Sequence, residues 1–302
     1  MVAKTVPSSA GGNRKLRLTL IFMWAMAIVF AGTIARAGED TYAGVKKKLI
    51  ADGYPGRQVA RLFQPPPAPM FKLVAKTLHI RESVLNYEQF LNPSEIARAR
   101  DFIAAHRSAF RRAWEQYRVE PGVIAAILLV ETHFGSYTGK TPTLAVFATF
   151  ALMDQRANRD RVWKMLAPGD REKWGREAFD RKLMDRAAWA YKELSALLEW
   201  ERVQSVSPAS LKGSVMGAVG WPQFLPSSLV KYGADGNKDG SIDLYDADDA
   251  IFSTANYLRG YGWCEARFPA DKEQVIWGYN HSKPYVRTVL GIAERLDAEA
   301  AR

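Results

Sequence analysis

Cysteine is almost absent from the sequence, with Cys264 the only one among 302 residues. A single cysteine cannot form an intramolecular disulfide, and it excludes a multi-cysteine metal site. We therefore expect Cys264 to be a buried, inert thiol. Sustained alternation of apolar and polar residues is also lacking, as is any internal repeat, so extended β structure is not expected. The sequence predicts a mainly α-helical protein with at most a small sheet.

Basic blocks with interleaved aromatic residues are missing as well, which disfavours nucleic acid as a partner. The formal net charge is nevertheless +10 and the sequence pI is about 9.6. Residues 1–37 contribute five of these positive charges and no acidic residue, so the rest of the chain carries +5. Such a moderate excess suits a polyanionic setting, either a cell-wall or membrane surface or, as the weaker alternative, nucleic acid.

The N-terminal 37 residues have the three-part pattern of an export signal. A basic segment is followed by an apolar run over residues 18–31 and then by Ala35-Arg-Ala37, which places small residues at a cleavage site. The run is shorter than the roughly 20 residues of a membrane span. We predict a signal peptide over residues 1–37 and one exported domain over residues 38–302, located in a bacterial periplasm. The alternative is an uncleaved membrane anchor; without a nearby cysteine, no lipid anchor is expected.

The most apolar stretch after residue 37 covers residues 122–130 and ends at Glu131. Pro121 suits the first turn of a helix, and Gly135 can adopt the left-handed conformation that ends one. Glu131 lies seven residues after Ile124, so both fall on one helix face. A carboxyl in apolar surroundings has a raised pKa and can act as a general acid. The alternative is a structural glutamate, salt-bridged at a helix end.

Further helices and one loop follow from local patterns. Asn92 and Pro93 have the residue types of a helix cap and a first helical position. The amphipathic segment 96–117 and the long segment 178–201 are both predicted to be helical. Residues 205–228 are rich in glycine and serine, a composition typical of loops that carry function on a rigid scaffold.

Residues 235–246 match the EF-hand loop, with oxygen-bearing side chains at places 1, 3 and 5 and glycine at place 6. Place 12 is aspartate, where glutamate is usual and reaches further. Hard oxygen ligands favour Ca²⁺, so we predict a structural calcium ion. The alternative is an acid-rich turn without an ion. The loop spans residues 235–249, and its predicted ligands are Asp235, Asn237, Asp239, Ser241 through its carbonyl, Asp246 and Asp249.

Three separated blocks, at residues 130–135, 213–228 and 278–286, occur in order with this loop between the last two. The set resembles the membrane-bound lytic murein transglycosylase B family over roughly residues 42–290. The resemblance implies a mainly α fold with a lysozyme-like catalytic core, an additional helical lobe and a small EF-hand-like calcium loop. It also implies non-hydrolytic cleavage of peptidoglycan between N-acetylmuramic acid and N-acetylglucosamine, which forms 1,6-anhydromuramic acid.

The same resemblance implies roles for individual residues. Glu131 matches the family's single catalytic acid and base. For Phe224 and Tyr257, the alternative to substrate binding is that they are only core residues. The implied partners are peptidoglycan glycan strands and possible other cell-wall enzymes, with no nucleic acid, and the protein is expected to be a monomer. The residues implied to bind substrate are Ser214, Gln223, Phe224, Tyr257, Tyr279, Asn280 and Tyr285.

The number of carboxyl groups in the motif blocks separates the possible mechanisms. A glycosidase with two carboxylates needs a second acid within about 5–10 Å of the first. Residues 213–228 contain no acidic residue, so the attacking group is expected to come from the substrate, and the resemblance implies that it is the muramyl C6 hydroxyl. A hydrolytic muramidase and a non-catalytic peptidoglycan-binding or scaffold protein remain as alternatives.

Overall fold

The computed structural model describes residues 40–79, 86–204 and 207–300. The predicted signal peptide over residues 1–37 lies outside these ranges. From Tyr42 onward the chain forms one compact unit. Among the described helices, none is long and apolar enough to cross a membrane.

The described ranges contain fourteen α-helices, which confirms the prediction of a mainly α protein. The sheet is limited to β1 (Thr141–Pro142) and β2 (Lys212–Gly213), paired antiparallel with Thr141 opposite Gly213. Short 3₁₀ helices cover Tyr87–Leu91, Leu152–Asp154, Pro208–Ser210 and Trp263–Glu265. The α-helices are α1 (Ala43–Ala51), α2 (Gly56–Leu62), α3 (Phe71–Thr77), α4 (Pro93–Ala105), α5 (Arg107–Tyr117), α6 (Pro121–Thr132), α7 (Thr143–Ala151), α8 (Arg156–Met165), α9 (Pro168–Trp174), α10 (Arg176–Gln204), α11 (Pro226–Tyr232), α12 (Ala247–Gly260), α13 (Pro269–Tyr279) and α14 (Lys283–Ala300).

Helix α6 is the centre of the first hydrophobic core. Every one of its residues from Gly122 to Val130 is buried, and so is Thr132. The helix packs against α4, α12 and α14. Burial on all sides is expected for a helix that is apolar around its whole circumference. Glu131 is only partly buried, so α6 brings one ionisable group to the edge of an apolar core.

A second hydrophobic core lies in what we call the accessory lobe, formed by α1–α3 and α7–α10. The 29-residue helix α10 packs along α7 and carries core side chains from Phe179 to Leu198. The same helix continues into a third, smaller cluster through Trp200. This third cluster joins the lobe to the elements around the first core, and its buried members are Trp200, Val219, Phe224, Leu229, Tyr232, Leu244 and Tyr257.

A buried carboxyl also connects α10 to α11. Glu193 is 4% exposed. Its oxygens accept hydrogen bonds from the Ser227 backbone N–H and the Ser227 hydroxyl, each 2.9 Å long. Burial raises the pKa of Glu193, while the two bonds from Ser227 act in the opposite direction. The first turn of α11 is therefore capped by a side chain from the accessory lobe.

Local sequence signals set several helix boundaries. Asn92 caps α4 by accepting a 3.1 Å hydrogen bond from the Glu95 N–H, as predicted. The amphipathic segment 96–117 forms two helices that break at His106, rather than one. The expectation that Cys264 is buried was wrong, because its neighbour Trp263 takes the buried position in that short turn. The Cys264 thiol donates to the Tyr117 carbonyl at 3.0 Å.

Candidate functional site

A cavity of about 320 Å³ lies at the C-terminal end of α6. Among the residues that the structure describes, Glu131 is the only acidic side chain that lines it. The other lining groups are aromatic, amide or apolar, which is the mixture expected for a sugar-binding cavity. The lining residues are Asn86, Tyr87, Gln89, Phe90, Val130, Glu131, Asn280 and Tyr285.

Tyr285 contacts Glu131 from the opposite wall. Its hydroxyl donates a 2.7 Å hydrogen bond to Glu131 Oε1 across 154 residues of sequence. Tyr285 is 1% exposed, and burial, followed by the nearby charge of Glu131, raises its pKa well above the ordinary value. The phenol therefore stays protonated at neutral pH and acts as a fixed donor. A donor in this position holds the carboxyl in one orientation and favours its charged form.

The third sequence block supplies the next wall of the cavity. Tyr279 ends α13, and its ring lies nearly parallel to that of Tyr285, with centroids 6.3 Å apart. The Tyr279 hydroxyl donates to the Pro222 carbonyl, which ties the third block to the second. Asn280 follows directly in extended backbone and lines the cavity. The structure thus brings Glu131, Tyr279, Asn280 and Tyr285 together.

The turn after Glu131 differs from the sequence prediction. Helix α6 ends at Thr132, and the left-handed residue that follows is His133, with φ of 48°. Gly135 is also left-handed, with φ of 81°, yet it does not end the helix. Its role is steric, because a Cβ at this position would lie 2.2 Å from the Trp221 ring. The Thr132 hydroxyl fixes the turn further by donating to the Trp221 carbonyl at 2.9 Å.

Gln223 and Ser214 shape the second block and do not line the cavity. Gln223 has φ of 51°, and its side-chain amide donates to the carbonyls of Thr138 at 3.2 Å and Gly220 at 2.9 Å. The Ser214 hydroxyl accepts from the Ala218 N–H at 3.2 Å. The bonds to Gly220 and from Ala218 lie within the second block, and the bond to Thr138 connects the block to the segment after α6. The expected contact of both residues with substrate stays a prediction.

Phe224 and Tyr257 are buried in the third cluster, where the core alternative placed them. Their ring centroids are 5.4 Å apart, and both rings contact Tyr279. The Tyr257 hydroxyl donates to the Gly278 carbonyl at 2.9 Å. Both residues therefore support the cavity wall from behind, and neither is among its lining residues.

Sequence reasoning missed the wall that comes from the 3₁₀ helix Tyr87–Leu91. Tyr87 packs edge-to-face on Tyr285 with centroids 5.6 Å apart, and Asn86, Gln89 and Phe90 line the cavity beside it. The only signal in the sequence is a short run that mixes amides and aromatic residues. It has no helical period and belongs to none of the motif blocks, so it could not be connected to Glu131.

The loop at residues 235–249 folds around its own carboxylates. Asp235 accepts from the N–H groups of Lys238 at 2.6 Å and Gly240 at 2.9 Å. Asp239 accepts from the Ser241 N–H at 2.8 Å and the Ser241 hydroxyl at 2.9 Å, and these bonds lower its pKa. Asn237 accepts from the Asp239 N–H. The predicted oxygen donors therefore share one loop and are bonded to its backbone.

The two remaining predicted metal ligands lie at the start of α12. Asp246 caps that helix by accepting from the N–H groups of residues 248 and 249. Asp249 is fully buried and accepts from Gly236 at 2.7 Å and from Asp243 at 2.6 Å. In the part of the chain that the structure describes, no three His, Cys, Asp or Glu side chains are grouped so as to hold a metal ion. The hard oxygen donors of the loop nevertheless suit Ca²⁺ chemically.

Comparisons with known proteins agree with the geometry. Residues 37–271 match the family model described as a transglycosylase SLT domain. The chain is 33% identical over 176 residues to the membrane-bound lytic murein transglycosylase B of Escherichia coli (strain K12). That match covers 58% of this chain and 41% of the relative, so the chain spans about two fifths of the length of the curated relative it matches.

Two solved structures share the fold. The catenated lytic transglycosylase SltB1 from Pseudomonas aeruginosa is 25% identical, with a TM-score of 0.67 over 87% of this chain and 98% of that one. The Escherichia coli lytic transglycosylase Slt35, solved in complex with calcium, is 21% identical, with a TM-score of 0.64 over 88% and 95% of the two chains. The fold is thus shared with proteins named as lytic transglycosylases.

Proposed function

Because the chain belongs to the transglycosylase SLT domain family, we propose that it is a peptidoglycan lytic transglycosylase. It cleaves the β-1,4 bond between N-acetylmuramic acid and N-acetylglucosamine and leaves a 1,6-anhydromuramic acid end. The observation that carries this proposal is the cavity at the end of α6, where Glu131 is the one carboxyl group that the described lining residues supply.

A single carboxyl group performs both proton transfers of this reaction. Glu131 first protonates the glycosidic oxygen as the bond from that oxygen to muramyl C1 breaks. The resulting carboxylate then takes the proton of the muramyl C6 hydroxyl, whose oxygen forms the new bond to C1. The proton that left Glu131 is thereby replaced, and no water is consumed. Tyr285 donates to Glu131 throughout and keeps its oxygens aimed into the cavity.

The alternative enzyme is a muramidase that uses water. Such an enzyme requires a second carboxylate, either to activate the water or to act as the nucleophile, at about 5–10 Å. Within the described ranges, the polar groups that line this cavity besides Glu131 are amides and phenols. These groups bind N-acetyl and hydroxyl groups but are poor bases at neutral pH. The composition of the cavity therefore favours the substrate hydroxyl as the nucleophile.

Calcium is the second part of the proposal. The ion would be held by the oxygens of Asp235, Asn237, Asp239 and Asp249 with the Ser241 carbonyl. Asp246 is the weakest candidate because its side chain caps α12. The ion would cross-link the loop to the first turn of α12, a structural role, and it would replace backbone N–H groups as the partner of these oxygens. A calcium complex of Slt35, which has the same fold, supports the proposal.

The third part of the proposal concerns location and partners. We infer that residues 1–37 direct export and that the protein acts as a monomer on glycan strands in the periplasm, where other cell-wall enzymes are possible partners. The mass of the purified mature protein tests this inference. A mass that begins at residue 38 supports cleavage, whereas a mass that includes residues 1–37 supports the membrane-anchor alternative.

The product profile tests the proposed reaction. Purified protein is incubated with murein sacculi, and the released muropeptides are separated and identified by mass spectrometry. We expect 1,6-anhydromuramic acid ends from the wild type and a loss of roughly 10²–10⁴-fold in rate for Glu131→Gln. Reducing muramic acid ends instead would show a hydrolase. Equal release by Glu131→Gln would remove Glu131 from the chemistry and favour the non-catalytic alternative.

A further inference from the structure

Three aromatic side chains form a continuous row that leads from the cavity to solvent. Phe90 lines the cavity, and its ring centroid is 5.1 Å from that of His133. The His133 ring is in turn 5.6 Å from the ring of Tyr137, nearly perpendicular to it. Tyr137 is 73% exposed, the highest value among the large apolar side chains that are exposed. We call Phe90, His133 and Tyr137 the aromatic row.

The backbone that carries the outer end of the row is fixed. The Tyr137 N–H donates to the Thr132 carbonyl at 3.0 Å. On the other side of Tyr137, the Thr138 carbonyl accepts from the Gln223 side-chain amide. The turn between Thr132 and Tyr137 is held by the Thr132 hydroxyl, which accepts a hydrogen bond from the Gly135 N–H at 3.0 Å. Tyr137 is therefore an exposed aromatic residue on a prebuilt turn, so a ligand that contacts it has little backbone to order.

The chemistry of the row matches one kind of ligand. Pyranose rings carry apolar C–H faces, and tyrosine combines an apolar face with a hydroxyl that can meet sugar hydroxyls. A glycan strand that is cut at Glu131 must extend beyond the cavity, because the cavity measures only about 320 Å³. The aromatic row starts at that cavity and ends in solvent, so it offers a path for the part of the strand outside it.

We propose that the aromatic row is a distal saccharide subsite in which Tyr137 packs against a pyranose ring of the bound glycan strand. This inference rests on the proposed function, since it concerns the same substrate and the same cleft. Phe90 and His133 support the Tyr137 ring and continue the contact back toward Glu131. Tyr137 contributes to strand binding and leaves the two proton transfers at Glu131 unchanged.

The proposal predicts a dependence on strand length. A long strand reaches both the cavity and Tyr137, whereas a short fragment that fills only the cavity does not reach Tyr137. Removing the ring with Tyr137→Ala should raise KM for long, uncrosslinked glycan strands about five- to tenfold, which corresponds to losing one buried aromatic face. The kcat on the same strands and the KM for muropeptide tetrasaccharides should stay at wild-type values.

Two further variants complete the kinetic experiment. Tyr137→Phe keeps the aromatic face and should restore most of the affinity for long strands. Phe268→Ala is the matched control, because Phe268 is 68% exposed yet lines a different cavity beside Trp263 and Lys272. It should leave both KM values unchanged. Equal KM of Tyr137→Ala and wild type on long strands would overturn the subsite, as would equal losses on long strands and tetrasaccharides.

A binding measurement separates this proposal from the proposed reaction. In the Glu131→Gln background, sedimentation with murein sacculi should show weaker binding when Tyr137→Ala is added, whatever the products of the wild type are. If the wild type produces no anhydro ends but this binding difference is present, the reaction is wrong and the subsite stands. If anhydro ends form but the binding difference is absent, the subsite is wrong and the reaction stands.

Discussion

The turn after α6 and the loop at residues 235–249 were both singled out by short motifs, yet they are held together in different ways. The Thr132 hydroxyl reaches the Trp221 carbonyl, 89 residues along the chain, and Glu131 accepts from Tyr285, 154 residues away. In the loop, Asp235 and Asp239 accept from N–H groups two to five residues away. The geometry around Glu131 is thus a product of the whole fold, whereas the first half of the loop is held by bonds between near neighbours and is joined to α12 through Asp249.

This difference predicts how each region responds to change. A site assembled from distant segments loses its shape when one close contact is disturbed, because its parts share buried neighbours. The tip of the loop, residues 237–240, is exposed and can relax without moving the core. The motif around Glu131 is therefore sensitive to side-chain volume, and the loop is sensitive to what its oxygens bind.

Two glycines that both have a positive φ angle provide the largest expected difference in stability between the two regions. Gly135 and Gly240 have φ of 81° and 89°, but a Cβ on Gly135 meets Trp221 at 2.2 Å, whereas a Cβ on Gly240 meets nothing within 4 Å. Gly240→Ala should cost about 1–2 kcal/mol from backbone strain alone. Gly135→Ala adds overpacking and should cost about 3 kcal/mol or more. Urea unfolding of both variants measures the difference, and equal losses would contradict the contrast.

The effect of calcium on stability tests the loop at residues 235–249. If the loop binds Ca²⁺, stability should rise with calcium concentration by about 2.7 kcal/mol at one hundred times the dissociation constant. Thermal unfolding with calcium, with chelator and with Asp239→Asn measures this rise. Asp101→Asn, which alters an exposed carboxylate on α4, is the control and should respond to calcium as the wild type does. A melting temperature that calcium and chelator leave unchanged would remove the ion from the loop.

Two tyrosine–carboxylate hydrogen bonds test the role of Tyr285. Tyr285→Phe removes the donor to Glu131 and should lower kcat about tenfold, the value of one charge-assisted hydrogen bond of about 1.4 kcal/mol. Because the hydroxyl favours the charged carboxyl, its loss should also move the pH–rate profile to higher pH. Tyr191→Phe removes the equivalent 2.6 Å bond to Asp52 in the accessory lobe. It should not change kcat, and a similar loss in both variants would assign the effect to folding.

Glu193 gives the smallest expected effect, and it depends on pH. Burial raises the pKa of this carboxyl above its ordinary value of 4.5, so the folded state holds its proton more tightly than the unfolded state does. Its contribution to stability should therefore fall as pH rises from about 4.5 through the raised value. Glu193→Gln should flatten that part of the stability–pH curve by about 1 kcal/mol or less. Glu177→Gln, exposed on the same helix, should not alter the slope.

The sequence predicted those features that local chemistry determines. Asn92 and Pro93 start a helix because cap geometry involves only four neighbouring residues, and Pro121 opens α6 for the same reason. The left-handed residue that ends α6 was predicted to be Gly135, which was wrong, because His133 adopts that conformation and is stabilised by tertiary contacts. No local signal contains that information.

In the candidate site, too, some features could be predicted from the sequence and others depend on tertiary contacts. Glu131, Tyr279, Asn280 and Tyr285 could be connected through the resemblance to a family, and the structure brings them together. The wall at residues 86–90 could not be predicted, since its contact with Tyr285 joins segments almost 200 residues apart. Sequence also could not decide whether Phe224 contacts ligand or core, because an aromatic residue suits both positions.

Helix α10 has a consequence for how this protein can be divided. With 29 residues it is about 43 Å long. It begins in the accessory lobe, and near its other end Trp200 shares a cluster with Tyr257, whose ring contacts Tyr279. Glu193, which lies between these two parts of α10, caps α11. An internal deletion of residues 143–204 would keep Glu131, Tyr279 and Tyr285 but remove both supports. The accessory lobe is therefore inseparable from the cleft, and the minimal active unit must include both.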